Sequence, residues 1–181
     1  WTQTEDGWSL PLWRAPAPAD GSGEPVILAP DLGLNALCFD LSSDRSLVRN
    51  PHANGFDVYV FCHRGHADAV PPRHNPRIDF DAIVSHDVPA AIATVKAQSG
   101  AERVHWVGHG FGGQCLIGHM ANDGDRDLSS SVLMSAPVRF PKLSTSARRA
   151  AAVAQSLPST WQLPIDKVQR LLTVGSRHID L

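Results

Sequence analysis

Residues 108–113 read GHGFGG and directly follow the apolar run RVHWV. A strand that ends in a sharp glycine-rich turn and continues as a helix is one way in which enzymes present a nucleophile. The residue at the apex of such a turn carries the reactive serine or cysteine, and here it is Gly110. The sequence therefore raises the question of what chemistry remains when the reactive atom is absent.

The residues around Gly110 have the types that such a turn needs. The side chains two positions before and after the apex must be minimal, and Gly108 and Gly112 occupy those positions, with His109 between the first of them and the apex. The amide of Phe111 is expected to point towards a developing oxyanion, and a helix N-terminus adds partial positive charge there. The pattern predicts a nucleophile elbow that has its supporting parts but lacks its nucleophile.

Two other interpretations of the glycine cluster stay open at this point. The cluster could be a strand-to-helix turn without chemistry, or a loop that cradles a phosphate. A dinucleotide fingerprint would normally lie in the first βαβ unit and be followed by an acid about 20 residues later. This turn instead follows several predicted strands, which favours the elbow.

The elements that must position the turn can be predicted from hydrophobic periodicity. An antiparallel hairpin is predicted around Asp6 and Gly7, and a helix over residues 80–99, kinked at Pro89 and stopped by Gly100. A second helix follows the turn, a short one is predicted around residues 46–49, and strands are predicted for PVILAP, FDVYVFCHRG, RVHWVGHG and SSSVLMSAPV. Alternating strands and helices predict an α/β fold with a mainly parallel sheet and helices on both faces.

Composition excludes several classes of function. The chain has 181 residues, of which 43% are hydrophobic and 19% charged, which is typical of one soluble globular domain. A net charge of −2 gives no electrostatic case for binding nucleic acid. No apolar run approaches the roughly 20 residues of a membrane-spanning helix. The three cysteines and nine histidines have no metal-ligand spacing, so we expect no metal and no cofactor, and the cysteines weakly favour a cytoplasmic location.

Longer segments carry a family resemblance. TEDGWSLPLWRAP, PVILAPDLGLN, GFDVYVFCHRG, the segment that ends in WVGHGFGG, and VLMSAPV occur in the order of an α/β-hydrolase. They most closely resemble the acid lipase and esterase group, which shares the TEDG opening, the RG turn and a D-[LV]-P-A helix before the elbow. DLSSDRSLVRN and GFDVYVF also resemble polyhydroxyalkanoate synthases. The resemblance implies an α/β-hydrolase core over residues 1–141, the start of a lid or cap over residues 142–181, and a chain truncated before the last two strands.

The resemblance also assigns roles to residues. It implies that Gly110 stands at the nucleophile position, that Phe111 and Leu32 supply the two oxyanion-hole amides, and that His109 shapes the turn without acting as the base. Asp87 and Pro89 match the helix motif and are predicted to be structural. The family's catalytic acid and histidine would come from the last two strands. Candidates in this chain, downstream of the turn, are Asp166, Asp180, His119 and His178.

Four other residues have side chains that could react. Cys115 falls within the helix after the turn and is predicted to be structural. Cys62 ends a strand near the predicted pocket and is a slightly better candidate for reactivity. His63 and His66 flank Arg64 and are predicted to be solvated histidines at the mouth of the site.

Three functions are compatible with these patterns. The first is a lipase- or esterase-type hydrolase whose chain alone is inactive on esters. The second is a pseudoenzyme of lipid metabolism that binds an acyl ester, a lipid-like molecule or a partner protein, and the third is a relative of the polyester synthases that transfers acyl groups. The strand SSSVLMSAPV would have a free apolar edge, so we also expect a further C-terminal segment or a partner chain to cover it.

Overall fold

The computed structural model describes residues 1–66, 68–74, 76–138 and 145, and every element lies within one compact unit, Trp1–Arg139. The elements, in chain order, are the strands β1 (Thr2–Gln3), β2 (Ser9–Leu10), β3 (Leu12–Ala15) and β4 (Pro25–Ala29); a 3-10 helix (Ala36–Phe39); β5 (Asp40–Ser42) and β6 (Arg45–Ser46); α1 (Arg49–Ala53); β7 (Asp57–Phe61); α2 (Phe80–Ala82), a π-helical turn (Ile83–Asp87) and α3 (Val88–Ser99); β8 (Val104–His109); α4 (Phe111–Asp123); and β9 (Leu128–Met134).

The central sheet has five strands in the order β3-β7-β4-β8-β9. β3 runs antiparallel to β7, and the other neighbours are parallel, so that Ile27 pairs with Tyr59 on one side and with Trp106 on the other. All five residues of β4 and of β7 are buried. Continuous apolar runs of this kind suit strands that are covered on both faces. The predicted α/β fold with a mainly parallel sheet is confirmed.

Two clusters of buried side chains lie on opposite faces of the sheet. Helices α3 and α4 contribute Ile92, Val95 and Leu116 to the larger cluster, which also contains Trp106 of β8. On the other face, Phe39 of the 3-10 helix joins residues of β4 and β7 in the smaller cluster. The central sheet is therefore covered by packed side chains on both of its faces.

The helix predicted over residues 80–99 is interrupted earlier than expected. The sequence predicts a kink at Pro89, but the irregularity is the π-helical turn that ends at Asp87. Pro89 follows this turn by two residues within the same continuous helical segment, and it has no N–H to donate to the preceding turn. The helix ends at Gly100, as predicted, with a left-handed backbone conformation.

The first 15 residues form a hairpin and a separate strand, where the sequence predicts a hairpin alone. β1 and β2 pair as a hairpin around Asp6 and Gly7, in agreement with the prediction, while β3 is a separate edge strand of the main sheet. Trp8 of the turn between β1 and β2 is buried, whereas Trp13 of β3 is 43% exposed. The sequence also misses the β5–β6 hairpin, and α1 begins three residues after the predicted start.

Strand β9 has one neighbour within the described part of the chain, β8. Its side chains are mostly exposed, including Val132 at 52% and Leu133 at 42%. The predicted lid or cap, and the boundary after residue 141, fall outside the described residues. Among the helices that are described, none has both the length and the apolar character to cross a bilayer.

Candidate active site at the Gly110 turn

Gly110 lies in the tight turn that joins β8 to α4. Its backbone has φ 50° and ψ −113°, a combination that residues with a side chain rarely adopt. The Gly110 N–H donates to the carbonyl of Met134 at the end of β9, at 2.8 Å. The Gly110 carbonyl accepts from the N–H groups of Gly113 and Gln114, at 3.2 and 3.1 Å, which begins α4. The turn is therefore fixed by hydrogen bonds at both of its ends.

The two flanking glycines allow the turn to pack against its neighbours. A Cβ atom added to Gly108 would lie 2.5 Å from the Cα atom of Gly113, and one added to Gly112 would overlap the carbonyl oxygen of Ala29. Real Cβ atoms do not approach backbone atoms this closely, so the two positions require glycine. This is the steric requirement that the sequence predicts for the positions two before and two after the apex.

The side chain of Asp31 fills the space above Gly110. A Cβ atom at residue 110 would overlap the carboxyl carbon and both carboxylate oxygens of Asp31. Asp31 follows β4 and Pro30, and its carboxylate reaches the turn from the loop after that strand. The position that a nucleophilic side chain would take is therefore occupied by an acid from another element.

The two predicted oxyanion-hole donors meet at one oxygen atom of Asp31. The N–H of Phe111 donates to Asp31 Oδ1 at 2.6 Å, and the N–H of Leu32 donates to the same oxygen at 2.8 Å. The structure thus brings together two amides that are far apart in the sequence. Their role as an oxyanion hole stays a prediction. Sequence reasoning missed Asp31, because no pattern indicates that its side chain reaches Gly110.

His63 lies beside this site and is fully buried, so the prediction of a solvated loop histidine is wrong for it. Its ring packs edge-on against the rings of Phe61 and Phe111, with centroids 4.9 and 5.5 Å apart. Burial lowers the pKa of His63 to about 3, and the nearby backbone of Pro30 opposes this only in part. The imidazole is therefore neutral at neutral pH, and it contributes packing without positive charge.

His66 fixes the loop that carries Leu32. Its Nε2 atom accepts a hydrogen bond from the Gly33 N–H at 3.1 Å. His66 also lines an apolar cavity of about 480 Å³ between the edge strand β3 and the 3-10 helix, together with Trp13, Leu37, Val60 and Cys62. His66 therefore contacts both the loop after β4 and a cavity that could hold an apolar group.

Arg64 joins three elements behind the site. Its guanidinium is fully buried and donates to Asp87 at 2.6 and 2.8 Å, and to Asp6 at 2.7 and 2.9 Å. It also lies over the ring of Trp8, 5.3 Å from its centroid. These contacts join the end of β7 to the π-helical turn and to the β1–β2 hairpin. The residues of the RG turn and of the TEDG opening are therefore in direct contact.

A sequence profile described as the alpha/beta hydrolase family matches residues 26–176, which is most of the chain. The chain belongs to the alpha/beta hydrolase family. No curated protein sequence matches it.

Solved structures of the same fold include esterases. The chain resembles an esterase from Exiguobacterium antarcticum (19% identity, TM-score 0.61, covering 85% of this chain and 53% of that one). It also resembles the esterase RhEst1 from Rhodococcus sp. ECU1013 (20%, 0.59, 86% and 54%) and a bottromycin epimerase in complex with bottromycin A2 (21%, 0.60, 87% and 56%). This alpha/beta hydrolase chain spans about half the length of these proteins, and at such identities the likeness shows the fold alone.

The cysteines of this alpha/beta hydrolase are poorly suited to nucleophilic attack. Cys62 and Cys115 are both buried, and burial raises the pKa of Cys62 to about 12 and also raises that of Cys115. Both thiols are therefore protonated at neutral pH, whereas the thiolate is the reactive form.

The downstream acid and histidine can be located only in part. His119 lies on α4, buried, with its Nδ1 atom 3.3 Å from a carboxylate oxygen of Asp123. Asp166, Asp180 and His178 lie outside the described residues. Among the residues that are described, no cluster of acids, histidines or cysteines could hold a metal ion.

Proposed function

We propose that this alpha/beta hydrolase has an esterase-type elbow that does not hydrolyse carboxylic esters by itself. The observation that carries the proposal is the backbone of Gly110, which lies at the apex of the turn beside the amides of Phe111 and Leu32 and has no side-chain atom. In ester hydrolysis the nucleophile attacks the carbonyl carbon while two such amides stabilise the oxyanion. The chain therefore retains the two amides that would stabilise the oxyanion but lacks the nucleophile.

The expected loss of activity is large. In enzymes with a serine nucleophile, removal of that group lowers kcat by roughly 10⁶-fold, because the groups of the triad act as one unit. Oxyanion stabilisation and substrate binding alone leave a small residual rate over water. Neither Cys62 nor Cys115 replaces the missing group, because the burial of both thiols keeps them protonated.

A second candidate function is a non-catalytic protein that binds an acyl ester, a lipid-like molecule or a partner protein. The apolar cavity beside the loop after β4 favours it, because Trp13, Leu37 and Val60 give that cavity an apolar lining suited to an acyl chain. We also propose that the protein belongs to the lipase group and acts in lipid metabolism. Polyester-synthase chemistry stays a prediction. It needs a reactive cysteine, whereas burial raises the pKa of Cys38, Cys62 and Cys115.

Hydrolysis of p-nitrophenyl butyrate tests the proposal. We expect release of p-nitrophenol at the rate of buffer alone, and no labelling by a fluorophosphonate reagent. Saturable binding of the ester without release would support the second candidate. Because Asp31 fills the space above residue 110, a Gly110→Ser, Asp31→Ala double variant, in a chain joined to a C-terminal segment that supplies the family's acid and histidine, should gain hydrolysis. Saturable hydrolysis by the unaltered chain would contradict the proposed inactivity, and no gain in the folded double variant would contradict the elbow assignment.

We also propose that a further stretch of polypeptide pairs with β9, either from a C-terminal segment or from a partner chain. The described residues leave one edge of this strand without a neighbour, and Val132 and Leu133 are about half exposed there. Free N–H and C=O groups beside apolar side chains form an edge that proteins normally cover.

A further inference from the structure

We propose that Asp31 is an internal ligand of the oxyanion hole, and that it closes the hole to esters and to carboxylates. This inference rests on the proposed function, which takes the amides of Phe111 and Leu32 to be the oxyanion donors. It adds that Asp31 can occupy the hole because Gly110 has no side chain. The ligand class that the hole accepts once Asp31 is removed is a small carboxylate.

The first argument is the number of donors. A backbone amide has one N–H group, and the N–H groups of Phe111 and Leu32 both end on Asp31 Oδ1. Hydrogen bonds to a carboxylate are stronger than those between neutral groups. While Asp31 is in place, neither amide has a proton to donate to the carbonyl oxygen of a substrate. Both donors of the hole are therefore in place, but both are bound to Asp31.

The second argument is charge. No basic side chain in the described part of the chain forms a salt bridge with Asp31. The buried guanidinium of Arg64 is bound to Asp6 and Asp87, and burial keeps His63 neutral. The two amides and the N-terminus of the 13-residue helix α4 are therefore the groups that compensate the carboxylate. These are the groups that would stabilise a reaction oxyanion.

The third argument is steric. A side chain at residue 110 would overlap the Asp31 carboxylate, so a serine nucleophile and the internal ligand exclude each other. Asp31 is only half-buried, and the next residue, Leu32, is 68% exposed. The carboxylate can therefore leave the hole by rotation of its own side chain, while β4 and α4 keep their positions.

The experiment compares carboxylate binding by the unaltered chain and by an Asp31→Ala variant. Sodium acetate and sodium butyrate are added to the ¹⁵N-labelled proteins, and the amide resonances are followed by NMR. We expect Asp31→Ala to bind both ions at least ten times more tightly than the unaltered chain. The largest shifts should be those of the Leu32 and Phe111 amides, because an external carboxylate takes the place of the internal one.

Two further variants make the result specific. Asp31→Asn retains a side-chain oxygen that can accept both N–H groups, so it should keep the hole filled and bind acetate as weakly as the unaltered chain. Asp20→Ala removes an exposed loop carboxylate instead and should also leave acetate binding unchanged. Sodium chloride at equal ionic strength controls for screening.

Each outcome bears on one part of the argument. Equal acetate affinity in the unaltered chain and in a folded Asp31→Ala protein would overturn the inference. If Asp31→Ala does not fold, tight acetate binding by the Asp31→Asn protein would also overturn it. Tight binding that leaves the Leu32 and Phe111 resonances unmoved would overturn the assignment of the hole. Ester hydrolysis by the unaltered chain would instead refute the proposed function.

Discussion

At the scale of single residues, the site is defined by Gly110 and Asp31. Gly110 has no side chain in the turn between β8 and α4, and the carboxylate of Asp31 fills the space above it. The glycine could be found from the sequence, because its neighbours match a known turn. The acid could not, because its role depends on the distance between a loop and a turn that are about 80 residues apart. A contact of this kind has no local signal.

His63 gives a prediction at the same scale, because its pKa is about 3 in the folded chain and ordinarily about 6.5. Between these values the unfolded chain binds a proton that the folded chain does not. Stability is therefore greatest above about pH 6.5 and decreases as the pH falls. From pH 7.5 to pH 5, we expect His63 to contribute about 2 kcal/mol of lost stability. Urea unfolding at both pH values measures the change.

A His63→Leu variant provides the comparison for this prediction. It lacks the titrating group, so its loss of stability between the two pH values should be smaller by about 2 kcal/mol. Part of the loss should persist, because burial also lowers the pKa of His119. An identical pH dependence in His63→Leu and the unaltered chain would show that His63 does not titrate as described.

At the scale of elements, the strands were the easiest features to predict. β4 and β7 are continuous apolar runs because both of their faces are covered, and β8 precedes a recognisable glycine turn. The π-helical turn was not predicted, because Pro89 offered a more obvious position for a kink. The interruption ends at Asp87, whose carboxylate accepts hydrogen bonds from the buried Arg64. Pro89 follows the turn by two residues, and its missing N–H and its ring disfavour regular α-helical bonding to the residues of the turn.

The Arg64 cluster gives a prediction at the element scale. An Arg64→Met variant leaves the buried carboxylate of Asp87 without its partner and should lose about 3–5 kcal/mol of unfolding free energy. Arg49→Met is the matched control, because the Arg49–Asp40 pair is exposed and its loss should change the stability little. Chemical denaturation of both variants measures the difference. Equal losses would mean that the Arg64 cluster does not join the hairpin and the π-helical turn to the sheet.

At the scale of the whole molecule, β3 and β9 are the two edge strands of the described sheet. The edge at β9 is open within the described residues and carries the exposed side chains of Val132 and Leu133. The family resemblance predicts a further strand beside β9, and that strand stays a prediction. The chain also covers about half of the solved esterases that share its fold.

The open edge gives a prediction for native mass spectrometry. If a partner chain covers β9, the purified protein should be found in assemblies larger than the 19.5 kDa of one chain. A Val132→Lys variant should weaken such assemblies, because a charge on an edge strand opposes pairing. The control is Asp20→Ala, which alters an exposed loop and should leave such assemblies unchanged. A stable monomer of the unaltered chain would contradict coverage by a partner.

The hydrogen bond from the Gly110 N–H to the Met134 carbonyl connects this edge to the turn. Met134 is the last residue of β9, so a strand that docks along β9 and shifts its end would also shift the amide at the apex. Occupancy of the edge and occupancy of the hole would then be thermodynamically linked, and each would change the affinity of the other by the same factor. Docking of a strand along β9 would then change the affinity of the oxyanion hole for its ligand.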